Sequence, residues 1–227
     1  QEPLFVAADW RARLSSDGVN AAITDMAFND GGRLYEGVNI KAEWEKDNGR
    51  TFAVFNKMDA EIANRLALNF VPEEWRLAKI LSGLSPKGQA TNASLRIWRN
   101  SETLHYQYLS NLIDAEVSGH NGIPAVNHVY GLFSLTDTQG SIEFQNHQSS
   151  MAVPTVYESA WDIEQASGEV SWQLNQNAFV VSGKDLKIER NGATIQGDFH
   201  LEQPLATTGV GDDWLAVNIN AQNVPEA

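Results

Sequence analysis

The side chains with the most chemical potential in this 227-residue chain are five histidines, 29 carboxylates and seven tryptophans. His105, His120, His128, His147 and His200 are scattered, and none forms the short-spaced pair that presents a metal from one turn or helix. Two carboxylates that work on one substrate, as in a glycosidase, must flank it together. The adjacent acidic pairs are Glu73-Glu74 and Asp212-Asp213. Neighbours on a strand point to opposite faces and neighbours on a helix diverge by about 100 degrees, so neither pair is built to share a substrate. They read as a solvated helix start and a turn. There is no cysteine, which removes disulfides, thiolate metal sites and cysteine catalysis together. GxSxG, HExxH, Walker, GxGxxG and EF-hand spacings are all missing. The expectation is a non-enzyme without metal or cofactor.

The tryptophans, Trp10, Trp44, Trp75, Trp98, Trp161, Trp172 and Trp214, admit two uses. Trp44, Trp98 and Trp172 sit on apolar alternations, where they would line a core or groove. Exposed in a row, they would make a sugar-stacking platform. Asn92-Ala93-Ser94 is a lone glycosylation sequon and reads as a polar triplet before a strand.

Lys and Arg total 16 against 29 Asp and Glu, a net charge of −13. Phosphate backbones are bound by clustered cations, so a nucleic-acid partner is not expected. The 42% apolar and 20% charged composition is that of a folded chain. No window has 18 consecutive apolar residues, and the chain opens on Gln1, which reads as a processed product or a piece of something longer.

The elements that must position these residues follow a period of two, the pattern of strands. Val38, Ile40, Ala42 and Trp44 alternate with Asn39, Lys41, Glu43 and Glu45. Asp47-Asn48-Gly49 reads as a hairpin turn, and Phe52, Val54, Met58, Ile62, Leu66, Leu68 and Phe70 read as the strands that follow. Further turns fall at Thr138-Gln139-Gly140, Asn175-Gln176-Asn177 and Arg190-Asn191-Gly192. The spacing predicts roughly 13 to 15 strands. Between Pro72 and Leu84 the period changes: Trp75, Ala78, Leu81 and Leu84 recur every three residues behind Pro72, Glu73 and Glu74, predicting one amphipathic helix. The expected architecture is mainly β and antiparallel, with one short amphipathic helix at about 72–84. It divides into a β block over 1–71, helix and turn over 72–88, and a β block over 89–227, one continuous sheet.

From about Pro72 to Leu201 the chain resembles the YhdP branch of the AsmA-like bacterial envelope proteins, relatives of TamB. The resemblance rests on an ordered series. Leu81-Ser82-Gly83-Leu84-Ser85-Pro86-Lys87-Gly88 precedes Leu95-Arg96-Ile97-Trp98. Gly122-Ile123-Pro124-Ala125-Val126, Tyr130-Gly131-Leu132, Gly140-Ser141-Ile142-Glu143-Phe144 and Met151-Ala152-Val153-Pro154 come next. Ala166-Ser167-Gly168-Glu169-Val170-Ser171-Trp172, Phe179 to Ser182 and Lys184-Asp185-Leu186-Lys187-Ile188 close it. Ala125 replaces the glycine of the family's Pro-Gly-Val-like turn. The resemblance implies a long antiparallel meander sheet curled into a groove or open half-barrel, in an internal periplasmic piece of a longer protein anchored in the inner membrane. It also implies a role in carrying phospholipid between inner and outer membranes, with adjoining segments of the same parent chain as partners.

A diacyl lipid in water exposes about 30 methylenes, a cost of roughly 24 kcal/mol, so a carrier must keep its chains covered throughout. Val38, Ile40, Trp44, Phe52, Val54, Leu132, Ile142, Phe144, Val170, Trp172, Phe179 and Ile188 are the candidates for contact with phospholipid acyl chains. The same alternation would equally build a closed sandwich, including a carbohydrate-binding one, or a scaffold for envelope assembly. A piece of a larger sheet would also expose an unpaired edge and self-associate through it.

Overall fold

The computed structural model describes residues 5–30, 33–70, 82–100, 103–119, 124–152, 159–175, 177–204 and 214–223. Four strands, β1 (Phe5–Leu14), β2 (Gly18–Asp30), β3 (Arg33–Glu45) and β4 (Arg50–Asp59), lead into helix α1 (Ala60–Phe70). Eight more follow: β5 (Lys87–Asn100), β6 (Thr103–Val117), β7 (Ala125–Thr136), β8 (Gln139–Ala152), β9 (Trp161–Leu174), β10 (Ala178–Arg190), β11 (Ala193–Pro204) and β12 (Trp214–Gln222). They hydrogen-bond in chain order in one twelve-stranded antiparallel meander that is not closed into a barrel. The mainly β, antiparallel fold expected from alternation is therefore present, and so is the long meander that the resemblance implies. The 13 to 15 strands expected become twelve among the described residues, because the strands run to as many as 15 residues and one expected strand is helical.

That strand is Ile62 to Phe70, which forms α1. Apolar residues at even positions mimic a strand, but Asp59 stops β4 by capping the helix: its Oδ1 accepts the Glu61 N–H at 3.0 Å and the Ile62 N–H at 3.3 Å. Three alanines in the eleven-residue segment favour the helix, and Ile62 is buried. Of the helix expected over 72–84, residues 82–84 are helical and the remainder, with Trp75, lies outside the described residues.

The turns follow their chemistry. Asn191 and Gly192, at φ 51° and 78°, make a two-residue loop between the Arg190–Ala193 pair. At the β3–β4 turn, Asn48 Oδ1 accepts the Arg50 N–H at 3.0 Å and Gly49 takes φ 61°. Asn175 Oδ1 holds the Ala178 N–H at 2.7 Å between β9 and β10.

Several strands carry a bulge at a left-handed residue. Asp25 (φ 50°), His128 (φ 52°) and Asp185 (φ 52°) each fall where the pairing register shifts. A bulge frees a backbone N–H, and side chains supply the lost partner. Asn39 Oδ1 accepts the Asp25 N–H at 3.0 Å, Asn146 Oδ1 the Tyr130 N–H at 2.8 Å, and Asp198 Oδ1 the Asp185 N–H at 2.9 Å.

The chain divides into two compact units, Gln1–Met58 with Ala90–Asn111, and Asp59–Gln89 with Leu112–Ala227. Among the described residues the buried apolar side chains are Ala53, Ala90, Ala93, Ala166, Ala178, Phe28, Val38, Ile62, Val129 and Ile163, half of them alanine.

Candidate functional site

Directly paired residues on antiparallel strands point to the same face, so the register sorts every side chain. In the second unit one face is apolar. Leu135, Gly140, Trp172, Val181, Leu201 and Leu215 pair in sequence across six strands, β7 to β12. Two residues along, the next row is Phe133, Ile142, Val170, Gly183, Phe199 and Val217. Phe144 pairs with Gly168, and Phe179 with Leu174. The β10 bulge lies between Gly183 and Leu186; beyond it Ile188 joins this face opposite Ala166 and Ile195. The other face is wet: Ser141, Ser171, Ser182 and His200 form one row, Glu143, Glu169 and Lys184 another.

The first unit repeats the segregation. Trp10, Ile23, Ile40 and Phe55 form a row, Leu14, Val19, Trp44 and Thr51 a second. Between them lie Ala12, Ala21, Ala42 and Ala53, a channel floored by alanine and walled by larger apolar side chains.

The candidates Val38, Ile40 and Trp44 share the apolar face of the first unit, and Ile142, Phe144, Val170, Trp172, Phe179 and Ile188 that of the second. Phe52, Val54 and Leu132 lie on the opposite faces, paired with Glu43, Lys41 and Glu143. The reason is the turn. A loop with an even number of residues pairs odd positions with even ones, and the loops at 46–49 and 137–138 have four and two. Phe55 and Phe133 therefore occupy the places on the apolar faces that parity along one strand assigns to Val54 and Leu132. Phe52 finds other company, with the Arg96 guanidinium 5.3 Å from its ring centre. The turn length was the signal that would have found Phe55 and Phe133.

The apolar faces are lined but not sealed. Ile142, Phe144, Val170, Trp172, Phe179 and Ile188 are all half-buried, and Trp44 is 41% exposed. Strands β7 to β12 touch along the sheet, each with its neighbour.

Among the described residues two histidines make close side-chain pairs. Ser182 Oγ lies 2.9 Å from His200 Nδ1, but His200 is flanked by Ala216 and edged by the Trp214 ring at 5.5 Å. The backbone N–H groups around it sit in the sheet, where ladder bonding competes with any role as oxyanion donors. His128 Nδ1 and Asp114 Oδ1 pair at 2.6 Å, both about half exposed. Among the described residues no three His, Cys, Asp or Glu side chains are grouped to hold a metal ion. His120 and both acidic pairs lie outside those residues. Burial pushes the Tyr108 phenol up, away from the range of a useful base. A hollow of about 420 Å³ opens over the β10 bulge, lined by Ser167, Gln196, Asp198 and Asn218, but these belong to the wet face. In the first unit Trp10 and Trp44 stand in separate rows, and in the second Trp214 is on the wet face.

An open antiparallel meander whose two faces differ in polarity, with its greasy face left unsealed, is the class of protein that fold and surface define. The chain belongs to the YhdP family: the model of that family, described as YhdP protein, matches residues 6–225. Neither a curated protein nor a solved structure matches it.

Proposed function

We propose that this chain is a non-enzymatic segment of a cell-envelope protein that carries phospholipid between inner and outer membranes, the acyl chains lying on the apolar faces of the sheet. The observation that carries the reading is the partial exposure of large apolar side chains in continuous rows over β7 to β12, with serine, glutamate and lysine behind them. A sealed sandwich would have spent this surface on its own core. At about 25 cal/mol per Å² of apolar surface, an uncovered face is costly to keep unless something covers it in use. Membership of the YhdP family supports the same reading. The setting proposed is the periplasm, in a parent protein held to the inner membrane by another segment. No helix among the described residues is long and apolar enough to span a bilayer. The partners are then phospholipid acyl chains and adjoining segments of the parent chain.

The test is photo-crosslinking in cells from Ile40, Phe144 and Trp172. Phospholipid adducts are expected at all three and not at the wet-face positions Glu43 and Ser171. Adducts at neither set, or equally at both, would defeat the reading.

A further inference from the structure

Two glycines on the apolar face of the second unit are occupied from above by aromatic rings of the next strand. A β-carbon at Gly140 of β8 would fall within the Trp172 indole, and one at Gly183 of β10 within the Phe199 ring. Trp172 starts on β9, crosses the space over Gly140, and comes within 6.0 Å of the Phe133 ring on β7, centre to centre, at a tilt of 38°. Strands β7 and β9 are two spacings of about 4.8 Å apart, so the indole must lean along the sheet to make that contact. An upright indole would project into the space above the face.

We infer that Gly140 is a positioning residue for acyl-chain passage: with no side chain of its own, it keeps Trp172 lying across β8 and so keeps the apolar lane shallow and clear. Gly183 does the same for Phe199. The inference rests on the lipid-carrying reading and deepens it, because it turns a row of apolar residues into a surface with a controlled height. In Gly140→Val the two methyls and the β-carbon take the space of the indole, which has to stand away from the sheet, beside Ile142 of the next row.

The test uses the chain carrying p-benzoylphenylalanine at Ile142 or, separately, at Ile219, illuminated with vesicles of phosphatidylethanolamine and phosphatidylglycerol. Gly140→Val is expected to lower lipid capture at position 142 about tenfold, the loss expected when roughly two methylenes lose their cover. Capture at 219 stays. Ser141→Val, the same change one residue along on the wet face, leaves both unchanged. Unchanged capture at 142 in Gly140→Val, or equal loss at 142 and 219, which marks damage to the fold, overturns the role of Gly140 while leaving the lipid reading intact. No capture at either position in the unsubstituted chain removes that reading and this inference with it.

Discussion

Asn146 is a polar residue on the apolar face, opposite Ala166, and the bulge at His128 explains it. Its Oδ1 takes the Tyr130 N–H that the register shift releases, and the side chain is 6% exposed. Asn39 plays the same part for Asp25, but there the bond is open to water. Removing the buried acceptor strands an N–H; removing the exposed one lets water replace it. Asn146→Ala should therefore lower stability by about 1–3 kcal/mol and Asn39→Ala by less than about 1 kcal/mol, read by thermal or urea unfolding. Equal losses would show that the bulge bonds are interchangeable with solvent everywhere. None of these pairs was legible in the sequence. Asn, Asp and His in strands look like ordinary wet-face residues until the register shows which N–H each one faces.

Among the elements, the hairpins were readable and α1 was not. Asn-Gly at 191–192 and the Asp47-Asn48-Gly49 run specify left-handed geometry locally, so no distant contact is needed to place those turns. Residues 60–70 carry apolar residues on a pattern that two periods can claim, and the capping bond of Asp59 decides between them. Asp59→Ala should cost about 1 kcal/mol, and Asp59→Asn much less, since an amide oxygen caps as well. Chemical denaturation of the two variants distinguishes a true cap from a carboxylate acting only by its charge. Loop length also set which face each returning strand shows. A turn with an even number of residues puts Phe55 and Phe133 on the apolar face, and Phe52, Val54 and Leu132 on the wet one. This arithmetic was available in the sequence once the turn ends were known.

At the scale of the whole chain, the sheet order ends at β1 and β12, and both end strands present large apolar residues to water. Leu215, Val217 and Ile219 are 59%, 51% and 63% exposed, and among the described residues β12 pairs with β11 alone. Unprotected edges of this kind recruit further strands. The isolated chain should associate in a concentration-dependent way, and Val217→Lys should weaken that association, as read by sedimentation velocity. A chain that stays monomeric at every concentration would mean its edges are already blunted. Alternation by itself determined that this protein is mainly antiparallel β, with strands greasy on one side and wet on the other, because side-chain direction in a strand depends only on position parity. Turn residues determined where the hairpins close, because positive φ is a local demand. Only the tertiary structure decided which residues share a face, since a bulge or an even loop exchanges parity for everything beyond it. It alone decided, too, that large rings lean over glycines on neighbouring strands, because that packing joins residues that no local pattern connects.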